Sequence, residues 1–161
     1  MVDISNNSAV LNYFESEMKD FIVKRLSHVK NWWNACIPPK IREDASQRYQ
    51  NDKKVNDILN KPDFVMVDYL NFDGYEKIIA RQDNWNTYFE DVFLDKSIFL
   101  YKMRVLLSLR NDIWHGRTLD EINSIRLRIH CYDILSQIHE TIFPDKYDRN
   151  AMLQKLGFQI R

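Results

Sequence analysis

Between residues 8 and 34 the apolar side chains fall at Leu11, Phe14, Met18, Phe21, Ile22, Leu26, Val29, Trp32 and Trp33. Steps of three and four residues put them on one stripe of a helix, so the pattern predicts one long first helix. Pro38-Pro39 should stop it, because neither ring nitrogen can donate a hydrogen bond and each proline pushes its predecessor out of the helical region. Residues 41–54 are strongly polar and predict a surface helix. Lys61-Pro62-Asp63 breaks the chain again, and a short apolar piece follows at 64–70 before Asp73-Gly74. Tyr75, Ile78 and Ile79 then predict a short helix, and Trp85, Tyr88, Phe89, Val92 and Phe93 another.

From Lys96 to Trp114 apolar residues occur on most sides of the helical wheel, which predicts a central helix. Gly116 is placed as its stop, and Thr118 followed by Glu121 has the spacing of a capping box that opens the next helix. That helix carries Ile122, Ile125, Ile129, Tyr132, Ile134, Leu135, Ile138 and Ile142 before Pro144. A last short helix is expected over 148–156, ending at Gly157. No stretch alternates with the period of a strand. The expectation is an all-α, single-domain bundle of about five to seven helices over residues 1–161.

Composition narrows this picture further. Three glycines and four prolines in 161 residues are too few to turn the corners of a sandwich or barrel. With 45% apolar and 13% aromatic residues the chain can fill a core, so wholesale disorder is excluded. The 23 Lys and Arg balance 23 Asp and Glu, so no global field draws the chain to nucleic acid, and any such contact must be local. Cys36 and Cys131 match no zinc spacing and are expected to be buried thiols in a reducing compartment. No apolar run suits a membrane span or signal core, which predicts a cytoplasmic protein without membrane contact. Phosphate-loop, dinucleotide and hydrolase-elbow motifs are lacking, and no cofactor or metal is expected.

The candidate chemistry lies in residues 102–128, which hold six basic groups (Lys102, Arg104, Arg110, Arg117, Arg126, Arg128) against three acidic ones. Such a stretch suits a short phosphate contact or a solvated face equally well. Within it, Arg110-Asn111-Asp112-Ile113-Trp114-His115 interrupts the most apolar helix with hydrogen-bonding groups. Burying these without partners would cost about 1 to 3 kcal/mol each, so this helix end should face a cleft, water or a partner chain. Asn111 and His115 share a face, where the amide could hold one imidazole nitrogen. Arg110 lies about 140° from His115 on a regular helix, so the helix must bend or end near His115 for both to reach one phosphate. His28, His130 and His139 face no Cys or carboxylate pattern and are read as structural or solvated. Trp32, Trp33 and Trp85 sit on apolar stripes and are read as core, with a docking surface as the alternative.

The run from Arg110-Asn111 to His115, closed by Gly116, resembles the active-site motif of the HEPN superfamily of helical RNases and RNA-binding modules. The likeness extends to its Swt-type branch through residues 11–26, Trp32-Trp33, Ile37-Pro38, 42–48, Asp68-Tyr69-Leu70, 85–93, Leu109-Arg110-Asn111, His115-Gly116-Arg117 and Leu119. The resemblance implies an all-helical bundle, a homodimer joined near the motif and metal-independent cleavage of RNA. By position it assigns the functional places to Arg110, Asn111 and His115. Lys102, Arg104 and Arg117, from the basic stretch, are the candidate flanking RNA contacts. Asp112, Ile113 and Trp114 fall where the family varies. Because some HEPN domains are inactive, the resemblance also admits an RNA-binding or assembly module, partnered by an antitoxin or a larger defence-system subunit.

Overall fold

The computed structural model describes residues 2–61 and 65–160, and the protein is all-helical over them. Pro62, Asp63 and Phe64, part of the expected second break and of the apolar piece after it, lie outside the described residues. The chain forms two compact units, Met1–Glu17 with Phe89–Arg161, and Met18–Tyr88. Helix α1 (Asn7–Leu26) contributes to both.

The first helix stops earlier than its apolar stripe suggests. Lys24 and Arg25 close its last turn, Asn31 takes a left-handed conformation (φ 56°), and α2 (Trp32–Cys36) follows as a separate short helix. The two prolines then open a helix as well as separating two: Pro39 is the first residue of α3 (Pro39–Leu59). Its missing N–H is one that no first turn can pair, and its fixed φ is already helical. In this unit Arg48 Nη1 donates to the Tyr69 carbonyl at 2.7 Å, pinning the 3-10 turn Met66–Tyr69 to α3. Beyond α4 (Phe72–Ala80), the buried Asn84 amide donates to the carbonyls of Cys36 at 2.8 Å and Ile78 at 2.7 Å. The aromatic run is one irregular helix: α5 (Gln82–Asn84), a π-segment Trp85–Phe89, and α6 (Glu90–Phe93).

In the other unit α7 (Lys96–Trp114) packs on α8 (Glu121–Ile142), with α6 against both and α9 (Arg149–Lys155) against α8. Only one side of α7 is buried, through Phe99, Met103, Leu106 and Leu109, while Ile98, Tyr101 and Trp114 are exposed. The expected central helix is therefore a one-faced helix with apolar residues left on its outer side. The α8 cap also differs from the capping-box reading. Asp120, not Thr118, is the N-cap, its carboxylate accepting from the Asn123 N–H at 2.7 Å. Aspartate does the same work as threonine there, with a charge that favours the helix N-terminus. Cys36 and Cys131 are buried free thiols, as expected, and Trp85 is core. Trp32 and Trp33 are half-buried and meet edge to face at 5.6 Å. Among the described residues there is no strand, only an isolated bridge between Val2 and Phe158, and no helix is long and apolar enough to cross a membrane.

Arg128 is the least expected core residue of this unit. Counted by sequence among the basic surface groups, it is 1% exposed. Its Nη1 donates to Asn7 Oδ1 at 2.5 Å and to the Ser124 carbonyl at 2.9 Å, while the Asn7 amide donates to Ser124 Oγ at 3.1 Å. Burial lowers its pKa, opposed by the charge of Asp3. Gly157, left-handed at φ 82°, permits this packing: a Cβ there would lie 2.8 Å from the Asp3 carbonyl oxygen and 3.0 Å from Arg128 Nε.

Gly116 is also left-handed (φ 73°) but faces open space, which makes a controlled comparison. In urea denaturation Gly116→Ala should lose about 1 kcal/mol from backbone strain alone. Gly157→Ala should lose about 1 to 3 kcal/mol more, from the forced contact. Equal losses would show that the packing around Asp3 and Arg128 yields to a methyl group.

Candidate functional site

The motif sits where α7 ends. Gly116 N–H donates to the Ile113 carbonyl at 3.0 Å and Arg117 N–H to the Asp112 carbonyl at 2.9 Å, a paired closure around a left-handed glycine. His115 is thereby the last residue of the helical turn, at φ −83° and ψ 13°, with its N–H donated to the Asn111 carbonyl at 3.0 Å. The helix ends at His115, whose N–H still bonds the Asn111 carbonyl as in a regular turn, so His115 keeps its helical offset from Arg110 around the axis. Asn111, Trp114 and His115 are exposed and Arg110 and Asp112 half-buried, so the polar interruption faces water. The expected grip of the Asn111 amide on the imidazole does not form, and the two residues are joined through the backbone alone.

Arg110 is held on two sides. Its guanidinium lies over the Trp114 ring, 4.9 Å from the centroid and one turn along the helix. Its Nε approaches Glu15 Oε1 of α1 at 3.9 Å, a charge contact longer than a hydrogen bond. A cavity of about 270 Å³ opens here. Ser8, Asn12 and Glu15 line it from α1 and Arg110, Ile113 and Trp114 from α7, over an apolar contribution from Leu11. Asn111 and His115 do not line it.

The expected RNA contacts are more engaged than their charges suggest. Lys102 Nζ pairs with Asp133 Oδ2 at 3.1 Å, and Arg117 Nη1 with Asp112 Oδ1 at 2.7 Å. Arg126 donates to Asn123 Oδ1 at 2.7 Å, and Arg128 is buried. Arg104 is exposed on α7. Lys102 and Arg104 lie about 20 and 17 Å from His115 along the helix axis, from a rise of 1.5 Å per residue. Arg110 and Arg117 alone are near the motif.

A second cluster escaped the sequence reading. His139 Nε2 of α8 and Glu17 Oε2 of α1 are 2.6 Å apart, contrary to the expectation that His139 faces no carboxylate. The partner stands 122 positions away in the chain, so no local spacing could announce it. Tyr13 packs nearby with Lys155 Nζ 5.0 Å from its ring. His28 is exposed and meets Tyr88 edge-on at 6.0 Å, and half-buried His130 meets Tyr101 in the same way. Burial lowers the His130 pKa. No group of three His, Cys, Asp or Glu side chains suited to holding a metal ion occurs among the described residues. The chain matches no protein-family model, no curated protein and no solved structure.

Burial, assisted by the Glu17 carboxylate, pushes the Tyr13 hydroxyl up to about 12 from its ordinary 10. A raised folded-state pKa means that its contribution to stability is full below pH 10 and is lost as pH rises towards 12. Urea midpoints should therefore fall across this window, and Tyr13→Phe should flatten part of the decline. An unchanged slope in the variant would place the titration elsewhere.

Proposed function

We propose that the chain is a metal-independent endoribonuclease of the HEPN type, acting as a homodimer with a composite site. The observation that carries this reading is the end of α7: the glycine closure leaves His115 exposed at the helix terminus, five residues after the half-buried Arg110. Cleavage of RNA without metal requires removal of the ribose 2′-hydroxyl proton, attack of that oxygen on phosphorus, and protonation of the departing 5′-oxygen. Imidazole, with an ordinary pKa near 6.5, suits both proton steps, and guanidinium suits a two-pronged hold on the phosphate oxygens. Asn111 would donate its amide to the same phosphate.

Base and acid act from opposite sides of the phosphorus, so two imidazoles serve the reaction better than one. A second copy related by a two-fold axis supplies the other His115. The outward face of α8 favours such an association: Ile122 and Ile129 lie two turns apart on it, 68% and 44% exposed, starting seven residues beyond His115. The products are a 2′,3′-cyclic phosphate and a 5′-hydroxyl. We place the protein in the cytoplasm.

One observation favours a second reading. Lys102 and Arg117 are ion-paired and Arg128 is buried, which leaves a thin basic surface for RNA. That suits an inactive HEPN module that binds RNA weakly or assembles with an antitoxin or defence-system subunit.

Cleavage of mixed-sequence RNA separates the two. His115→Ala should lose at least about 100-fold in rate, in keeping with the loss of a general acid or base, and should melt like the wild type because the ring is exposed. Wild-type cleavage should persist in EDTA and rise more steeply than linearly with protein near the dimer dissociation constant. Products with 3′-hydroxyl ends, or equal cleavage by His115→Ala, would overturn the ribonuclease reading.

A further inference from the structure

Resting on the ribonuclease reading, we infer that Asp112 is a specificity-determining residue: its carboxylate holds Arg117 beside His115, and RNA engages this helix end by taking that guanidinium over. Arg117 Nη1 donates to Asp112 Oδ1 at 2.7 Å across the end of α7. His115 lies between the two in sequence, two residues before Arg117, so the Cα atoms of His115 and Arg117 are no more than about 7 Å apart. Arg110 is half-buried and engaged by Trp114 and Glu15. Arg117, with a side chain 70% exposed, is therefore the solvent-exposed guanidinium nearest the imidazole along the chain.

The main chain sets the pairing. The closure that ends α7 returns the Arg117 N–H to the Asp112 carbonyl at 2.9 Å, so the backbone brings the two residues together before their side chains meet. A Cβ at Gly116 would touch nothing within 4 Å, and the surface of the turn is uncrowded.

A carboxylate and a phosphate ask the same of a guanidinium: each offers two oxygens to a fork of parallel N–H donors. With Nη1 on Asp112, a phosphate that approached the remaining N–H groups would stand beside a like charge, which repels it. Full engagement therefore requires Arg117 to exchange the carboxylate for the phosphate. The exchange is reversible, since both side chains reach solvent, Asp112 being 35% exposed, and ions screen the pair. The pair offers no net charge to a polyanion at long range. Selectivity follows from this: an RNA backbone seated with a linkage at His115 can displace Asp112, and the same backbone lying elsewhere on the protein cannot.

The test uses the full chain carrying His115→Ala, so that RNA is not turned over, titrated with a fluorescent mixed-sequence single-stranded RNA over a range of salt. Asp112→Asn in that chain keeps the shape of the side chain and the backbone closure. It should tighten binding at low salt at least about three-fold and steepen the slope of log K against log salt by about 0.7, the value for one added phosphate contact on a single strand. Glu121→Gln removes the same charge at an exposed position without releasing Arg117, and should leave the slope as it is. In an Arg117→Ala background the gain from Asp112→Asn should fall below about two-fold, which closes a double-mutant cycle on the pair. With His115 intact, Asp112→Asn should lower KM for RNA and keep kcat within about two-fold, because a binding contact and not a reacting group has changed. An unaltered slope in Asp112→Asn, or the same gain with and without Arg117, would defeat the inference. If the wild type still cleaves RNA, that result leaves the ribonuclease standing. A gain that depends on Arg117, without cleavage by the wild type, supports the exchange and removes the ribonuclease. RNA bound by none of these chains removes both.

Discussion

A buried guanidinium organises the unit that carries the candidate site. Arg128 has left water altogether, and a buried charge is tolerated only where hydrogen-bond acceptors surround it. Asn7 and the Ser124 carbonyl supply two of these contacts, and Asn7 is also the first residue of α1. The start of α1 is thereby tied to the first turns of α8. From that anchor Ser8, Asn12 and Glu15 extend along α1 toward α7. Gly157 lets the C-terminal segment approach the same guanidinium, and Asp3 N–H closes the contact on the Gly157 carbonyl at 2.7 Å. The cavity beside Arg110 thus depends on a charge some distance from it along the fold.

A second constraint acts at the far end of α7. Past Trp114 the helix could have run on and carried the polar motif into its middle. The left-handed Gly116 ends it instead, with two orphan carbonyls satisfied by Gly116 and Arg117. The chain then crosses to Asp120, whose carboxylate opens α8. Three residues, 117–119, connect those two caps. Local backbone chemistry and not packing sets the exposure of His115, and for this reason its replacement can test function without disturbing the fold.

The electrostatics around the motif are those of pairs and not of a patch. Lys102 with Asp133, Arg117 with Asp112 and Arg110 with Glu15 each bring an acid to a base. Arg117 is exposed and the other partners are half-buried, within reach of solvent that screens each pair. Their effect is on recognition: long-range attraction for a polyanion is small, and what remains are short-range contacts of defined shape. A ribonuclease built this way would choose its RNA by local fit more than by charge. His139 with Glu17 belongs to the framework on the other side of α1 and is not near the motif in sequence.

Periodicity alone determined that this protein is helical. It placed α7 from Lys96 to Trp114 with its stop at Gly116, the span of α8 to within two residues, and the end of α9 at Gly157, because caps and three-to-four spacing act between near neighbours. Arg110, Asn111 and His115 could be singled out for the same reason, as a polar break in an apolar run. Tertiary structure decided everything that depends on distant partners. The break at Asn31 within the expected first helix, the burial of Arg128, the pairing of His139 with Glu17 and the approach of Glu15 to Arg110 all join residues whose local context is ordinary on its own. Hydrophobic spacing specifies which face of a helix is buried, but not against what. Only packing assigns each charged side chain to solvent, to an ion pair or to the core.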